Sequence, residues 1–168
     1  MLVITGPGRR LVDRLPLDGL EVEVFDGATV HVPSEVVDAA SDALARFEAD
    51  AIVTLGGGSA TGLGKALRLR HEGVAFIAIP TTYSGSEMTT LYGIREGGEK
   101  RTGRDPRVRA DAVIHAPELF ESMPKKLSAT SLLNALAHPV AALAGGTLDE
   151  AGRSEALRAV RDLVWALD

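Results

Sequence analysis

Short apolar runs rich in β-branched residues alternate along this chain with longer stretches of helical period. Leu2 to Thr5, Glu21 to Phe25, Ala51 to Leu55, Ala75 to Ile79 and Ala112 to His115 read as strands. Before the third strand, Val36, Val37, Ala40, Ala43, Leu44 and Phe47 recur on one helical face, with Ser34 placed to cap it. After it, Leu63, Ala66, Leu67 and Arg70 lie along a second helix. Such alternation predicts right-handed βαβ crossovers, and therefore an α/β fold with a Rossmann-like parallel sheet that takes ligands at the carboxyl ends of its strands. Leu91 to Thr102, with Glu96-Gly97-Gly98 at its centre, breaks the alternation and predicts a β-hairpin beside the sheet.

Toward the C-terminus the pattern is helical only. Pro139 is expected to kink a helix or remove one of its bonds, and Gly145-Gly146 to break it. Leu148-Asp149-Glu150 then opens an amphipathic pattern through Leu157, Val160, Leu163, Val164 and Leu167. The division expected is a nucleotide-binding α/β domain over 1–123 and a short helical segment over 124–168.

Composition narrows the partners. Hydrophobic residues make up 45% and charged residues 24% of the 168, ordinary globular usage. The net charge of −5, without a basic stripe interleaved with aromatics, argues against nucleic acid. With no cysteine there is no disulfide, thiolate metal site or cysteine nucleophile. No apolar run is expected to approach a membrane span and no leader precedes the first strand, so no membrane partner and a cytoplasmic location are expected.

The chemistry concentrates at Gly56-Gly57-Gly58-Ser59, between the third strand and the second helix. Successive glycines permit a sharp turn with positive φ and a close approach of backbone to ligand, while the helix start presents free N–H groups and a positive dipole end. The natural guest is a nucleotide pyrophosphate. A tight strand-to-helix turn that binds nothing uses the same residues, so both readings stay open on the turn alone. Thr5-Gly6-Pro7-Gly8, ending the first strand, is a second candidate for phosphate or ribose contact, and Arg9 and Arg10 read as a solvated helix start. Thr81, Thr82 and Tyr83 follow the fourth strand at its ligand-facing end, and Ser86 with Glu87 can begin and cap the next turn. Asn134 and His138, four residues apart, share a helix face.

Gly56 to Ala66, Ile79-Pro80-Thr81-Thr82-Tyr83-Ser84-Gly85-Ser86-Glu87-Met88-Thr89, Lys100 to Val108 and Ser128 to His138 together resemble the maleylacetate reductases, within the iron-containing alcohol dehydrogenase superfamily and its dehydroquinate synthase-like fold. The resemblance spans about Leu2 to Leu143 and implies NADH or NADPH as cofactor, held by Gly57, Gly58, Ser59, Thr81, Thr82, Ser86 and Lys100. It further implies His138, Asn134 and Tyr83 as catalytic groups acting on a small polar, carboxylated substrate. Metal-dependent relatives carry an aspartate where Asn134 stands, so the resemblance implies no metal, and Gly62 in the place of an aspartate of many alcohol dehydrogenases sides with the reductase branch. Against family length, the chain reads as a truncated member lacking an N-terminal segment and most of the C-terminal helical domain. That reading predicts a homodimer or a partner chain, the final helix with Leu157, Val160, Leu163, Val164 and Trp165 covering apolar surface. Two other functions remain open beside the reductase: a non-redox isomerase, lyase or cyclase reusing the fold, and a non-catalytic subunit completed by a partner.

Overall fold

The computed structural model describes residues 1–9, 11–121 and 123–167, which form two compact units: Met1–Thr81 with Gly85–Glu121, and Thr82–Ser84 with Ser122–Asp168. Arg10 lies outside the described residues.

In the first unit the chain runs through β1 (Leu2–Thr5), β2 (Glu23–Phe25), α1 (Ser34–Arg46), β3 (Ala51–Gly56), α2 (Gly58–Arg70), β4 (Ala75–Pro80), β5 (Leu91–Glu96), β6 (Glu99–Arg104) and β7 (Ala112–Val113). Among these, β2-β1-β3-β4-β7 form one sheet, every pair parallel. A parallel sheet is covered on both faces, which is why its strands read as continuous apolar runs. Leu2, Ile4, Ile52 and Phe76 point to the face packed by Val37, Ala40 and Leu44 of α1 and Leu63, Ala66 and Leu67 of α2. Val3, Val53, Leu55 and Ile79 point to the other face, where Leu119, Leu11, Val12, Leu15 and Ala116 cover them. Each such large side chain contributes roughly 1.5–3 kcal/mol by leaving water.

The strands stand where the apolar runs placed them, with shorter ends. β2 begins at Glu23, because the carbonyl of Glu21 instead accepts from the N-terminal ammonium of Met1 at 3.0 Å. β7 holds only Ala112–Val113, and His115 follows it. Asp111 sets that strand in place: its carboxylate accepts from the Phe76 amide at 2.7 Å and from Arg68 Nη2 at 3.2 Å. The hairpin pairs β5 with β6 from Leu91↔Arg104 to Glu96↔Glu99, and Gly97 (φ 58) with Gly98 (φ 87) makes the tight turn.

Two local expectations are corrected. The N-cap of α1 is Pro33, not Ser34, whose hydroxyl sits inside the helix and donates to Glu35 Oε2 at 3.3 Å. Arg9 does not start a helix; it has φ 51, and its Nε meets Asp26 Oδ2 at 3.0 Å in an ion pair that stays exposed to solvent. Pro139 lies inside one continuous helix, α3 (Lys125–Ala144), where its ring nitrogen has no hydrogen to give the preceding turn.

The second unit consists chiefly of α3 and α4 (Glu150–Trp165), packed on each other. Gly146, φ 66, lies in the break between them, and Asp149 caps α4 by accepting from the Gly152 amide at 2.8 Å. Ala156 of α4 is buried, whereas Leu157, Val164 and Trp165 stay exposed, Trp165 by 80%. By length and composition α3, 20 residues long, is apolar enough to cross a bilayer, with a mean hydropathy of 1.3 over an 18-residue window, contrary to the expectation that no segment approaches a span. Ser128, Thr130, Ser131, Asn134 and His138 punctuate it with polar groups.

Candidate functional site

Strand order decides where a ligand can sit. From β1 the chain steps outward to β2 on one side, and β3 then returns to pair with β1 on the other. The crevice of a doubly wound sheet opens where the order reverses, at the carboxyl ends of β1 and β3. Thr5 pairs with Leu55 there, so Gly6, which follows β1, and the Gly56–Ser59 turn, which follows β3, both leave the sheet at this point.

The turn is built for close approach. Gly57 is the N-cap of α2, with φ −82, and Gly58 opens the helix, so the expected positive φ falls on Gly56 alone (φ 158). A Cβ on Gly56 would lie 2.9 Å from Ala60 Cβ. No side chain caps α2 and no acidic residue lies in its first turn. Its leading N–H groups and positive dipole end therefore face outward without an internal anion, with Ser59 half-buried beside them. The helix lies flush on the sheet because Gly64 faces it: a Cβ there would meet Thr54 Cγ2 at 2.5 Å and Phe76 Cε2 at 2.8 Å. Gly62 packs against Val32, whose Cγ2 a Cβ would meet at 2.8 Å.

Thr81 follows β4 in the first unit, and its amide donates to the Gly56 carbonyl at 3.1 Å, which joins the loop after β4 to the glycine turn. Ser86 opens a short 3-10 turn, Ser86–Met88, as expected; the cap position belongs to Gly85, at φ 65. Lys100 stands exposed on β6, with its Cε 3.0 Å from where a Cβ on Gly93 would be. In the second unit, Ser128 Oγ of α3 lies 3.5 Å from the Tyr83 hydroxyl. Asn134 and His138 are exposed on α3, one turn apart as the spacing predicts.

Two buried charges escaped the sequence reading. Lys65 is 1% exposed and Glu87 4%. Glu87 sits on the 3-10 turn with Oε1 3.7 Å from His115 Nε2, and its Oε2 is buried without a hydrogen-bond partner among the described residues. Burial pushes the Lys65 ammonium down to about 8, while the Glu87 carboxylate pulls the other way. The signal was a single lysine in an otherwise small and apolar stretch, Gly62-Leu63-Gly64-Lys65-Ala66-Leu67.

Fold and turn together define an α/β unit of Rossmann-like type. The model of one family, iron-containing alcohol dehydrogenase, matches residues 1–117, and the chain belongs to that family. It is 44% identical over 151 residues to maleylacetate reductase 1 of Cupriavidus pinatubonensis, covering 88% of this chain and 42% of that protein. It is 45% identical over 147 residues to maleylacetate reductase of Pseudomonas knackmussii, covering 84% of this chain and 41% of the relative. The crystal structure of maleylacetate reductase from Agrobacterium tumefaciens superposes with a TM-score of 0.89 at 40% identity, over 99% of this chain and 48% of that one. The chain thus spans less than half the length of these relatives, and α3 has a counterpart in the Agrobacterium enzyme.

The family name implies iron. Among the described residues no three His, Cys, Asp or Glu side chains converge on one point. Among the described residues of α3, Asn134 offers a neutral amide and His138 an imidazole.

Proposed function

We propose that this chain serves an NAD(P)H-dependent reduction of a small polar, carboxylated substrate, of the kind named by its maleylacetate reductase relatives. The observation that carries this reading is the glycine turn at the switch point of the sheet, opening an uncapped helix of the family that matches it.

In this reading Gly57, Gly58 and Ser59 hold the diphosphate. The glycines leave room for it, and the first-turn N–H groups with the Ser59 hydroxyl supply donors. Thr81, Thr82 and Ser86 offer hydroxyls from the segment after β4, and Lys100 a cation from β6. Bound nicotinamide would supply hydride, the difficult part of the chemistry. Tyr83, Asn134 and His138 are the polar groups assigned to the substrate: the Asn134 amide orients it, and His138 or Tyr83 donates the proton that accompanies the hydride. The reaction balances as one hydride and one proton added across the reducible double bond of the substrate. The reading is metal-independent because Asn134 is a neutral amide, a poorer partner for a hard divalent ion than a carboxylate.

The test is direct. NADH and NADPH are titrated into the purified chain by calorimetry, and maleylacetate and other small carboxylated substrates are then offered with the nucleotide that binds. Micromolar nucleotide affinity is expected, with turnover, if any, unaffected by chelator and less than a tenth of an equivalent of iron or zinc by elemental analysis. A folded protein that binds neither nucleotide overturns the reading. One tightly held metal per chain, lost on His138→Ala, overturns its metal-independent part.

A further inference from the structure

The helix that starts at the glycine turn carries a charge inside the protein. Lys65 Nζ donates to the Thr89 carbonyl at 2.9 Å, to Thr89 Oγ1 at 3.0 Å and to the Leu91 carbonyl at 2.7 Å. Three ammonium hydrogens thus meet three acceptors. The acceptor role of the Thr89 hydroxyl is settled by its other bond, since its own hydrogen goes to the Ser86 carbonyl at 3.1 Å. Glu87, on the same 3-10 turn, supplies the opposite charge within the protein.

For the fold alone this arrangement is expensive, because an ammonium and a carboxylate leave water where apolar side chains of similar volume would pack at less cost. What the lysine adds is a fixed connection. One end is α2, whose first turn is the cradle; the other is Ser86–Leu91. Thr81, directly after β4, is tied to the same cradle by its amide on the Gly56 carbonyl. A ligand that contacts both the helix start and Ser86–Leu91 gains affinity when the two are held in register before it arrives.

We propose that Lys65, with Glu87 as its counter-charge, is a positioning residue that locks Ser86–Leu91 onto the cradle helix for binding of the whole dinucleotide. The inference rests on the reading that this turn holds NAD(P)H. Lys65 touches no ligand itself; it acts through Thr89 and Leu91.

The chain and its Lys65→Met variant, which keeps about the length of the side chain and removes the ammonium, are titrated with NADH, NADPH and ADP. ADP carries the diphosphate but not the nicotinamide half. Lys65→Met is expected to weaken the reduced dinucleotide at least tenfold and ADP less than twofold, with faster amide exchange at Met88–Leu91 and unchanged exchange in β1 and β3. Equal weakening of ADP and dinucleotide means a general structural role and overturns the proposal, as does dinucleotide affinity within twofold of wild type. Wild-type protein that binds none of the three overturns the cofactor reading, and this proposal with it. Should Lys65→Met not fold, Thr89→Val removes one acceptor at the far end of the clamp. The same selective loss, about threefold, is then expected, and its absence overturns the proposal.

Discussion

The Thr81 amide and the Gly56 carbonyl, 3.1 Å apart, carry the pairing of β4 with β3 into the glycine turn. Gly56 is also where a side chain has least room, with φ 158 and Ala60 Cβ 2.9 Å from the position of an added Cβ. Gly56→Val is therefore expected to push α2 away from the sheet and to cost about 1–3 kcal/mol, the usual penalty of overpacking. Urea unfolding checks it, and a midpoint equal to wild type would show that the turn yields freely.

Gly57 separates ligand from fold. Its φ of −82 and ψ of −159 are open to any residue. Gly57→Val is expected to keep wild-type stability within about 1 kcal/mol, yet place a branched side chain where diphosphate and backbone meet. Calorimetry should find NAD(P)H binding lost. Unchanged affinity in the folded variant would remove the turn from the cofactor site.

Lys65 gives the protein a pH signature of definite sign. Its folded value is about 8 against an ordinary 10.5, so between these the unfolded chain holds a proton that the native state has released. Stability contributed by this group therefore rises with pH across that window, by up to about 3 kcal/mol. Deprotonation also leaves two amine hydrogens for three acceptors, and so dinucleotide affinity is expected to fall as pH passes 8. Glu87 and His115 are the neighbouring titratable groups, and Lys65→Met leaves both in place. Unfolding from about pH 7 to about pH 10 should show a steeper gain for wild type than for Lys65→Met. Parallel curves would contradict the lowered value.

Asp111 tests how β7 is held. Its carboxylate serves the Phe76 amide and Arg68 together. Asp111→Ala leaves the Phe76 amide unpaired beside a fully buried ring, at an expected cost of about 1–3 kcal/mol. Asp111→Asn keeps an acceptor and should recover part of it. Thermal unfolding of the two variants should rank them in that order, and equal losses would place the effect in the charge rather than in the bond to Phe76.

Local pattern was enough for most elements. The strands, both helices of the first unit, the Gly97-Gly98 turn and the Asp149 start of α4 depend on residues within a few positions of one another. Period, turn chemistry and caps are short-range, so they are written in the chain itself. The candidate site was legible to the same extent: the glycine turn and the Thr81 segment could be seen as strand-to-helix and strand-to-loop junctions, and family likeness assigned them a cofactor. Where local signals misled, a nearby competitor won. Pro33, with extended backbone, took the cap position that Ser34 was expected to fill, and Arg9, expected to begin a helix, turned to pair with Asp26 at the surface.

What the tertiary structure alone decided is long-range. The order β2-β1-β3-β4-β7 brings Thr5 beside Leu55 and so places the turns after β1 and β3 at one crevice. The same packing closes β5 and the Ser86–Met88 turn over α2, and takes Lys65 and Glu87 out of water. Helical period predicts which face of a helix is buried when one side packs. It says nothing of Lys65 on α2, which is covered on several sides, because the acceptors that make its burial tolerable lie 24 and 26 residues away along the chain.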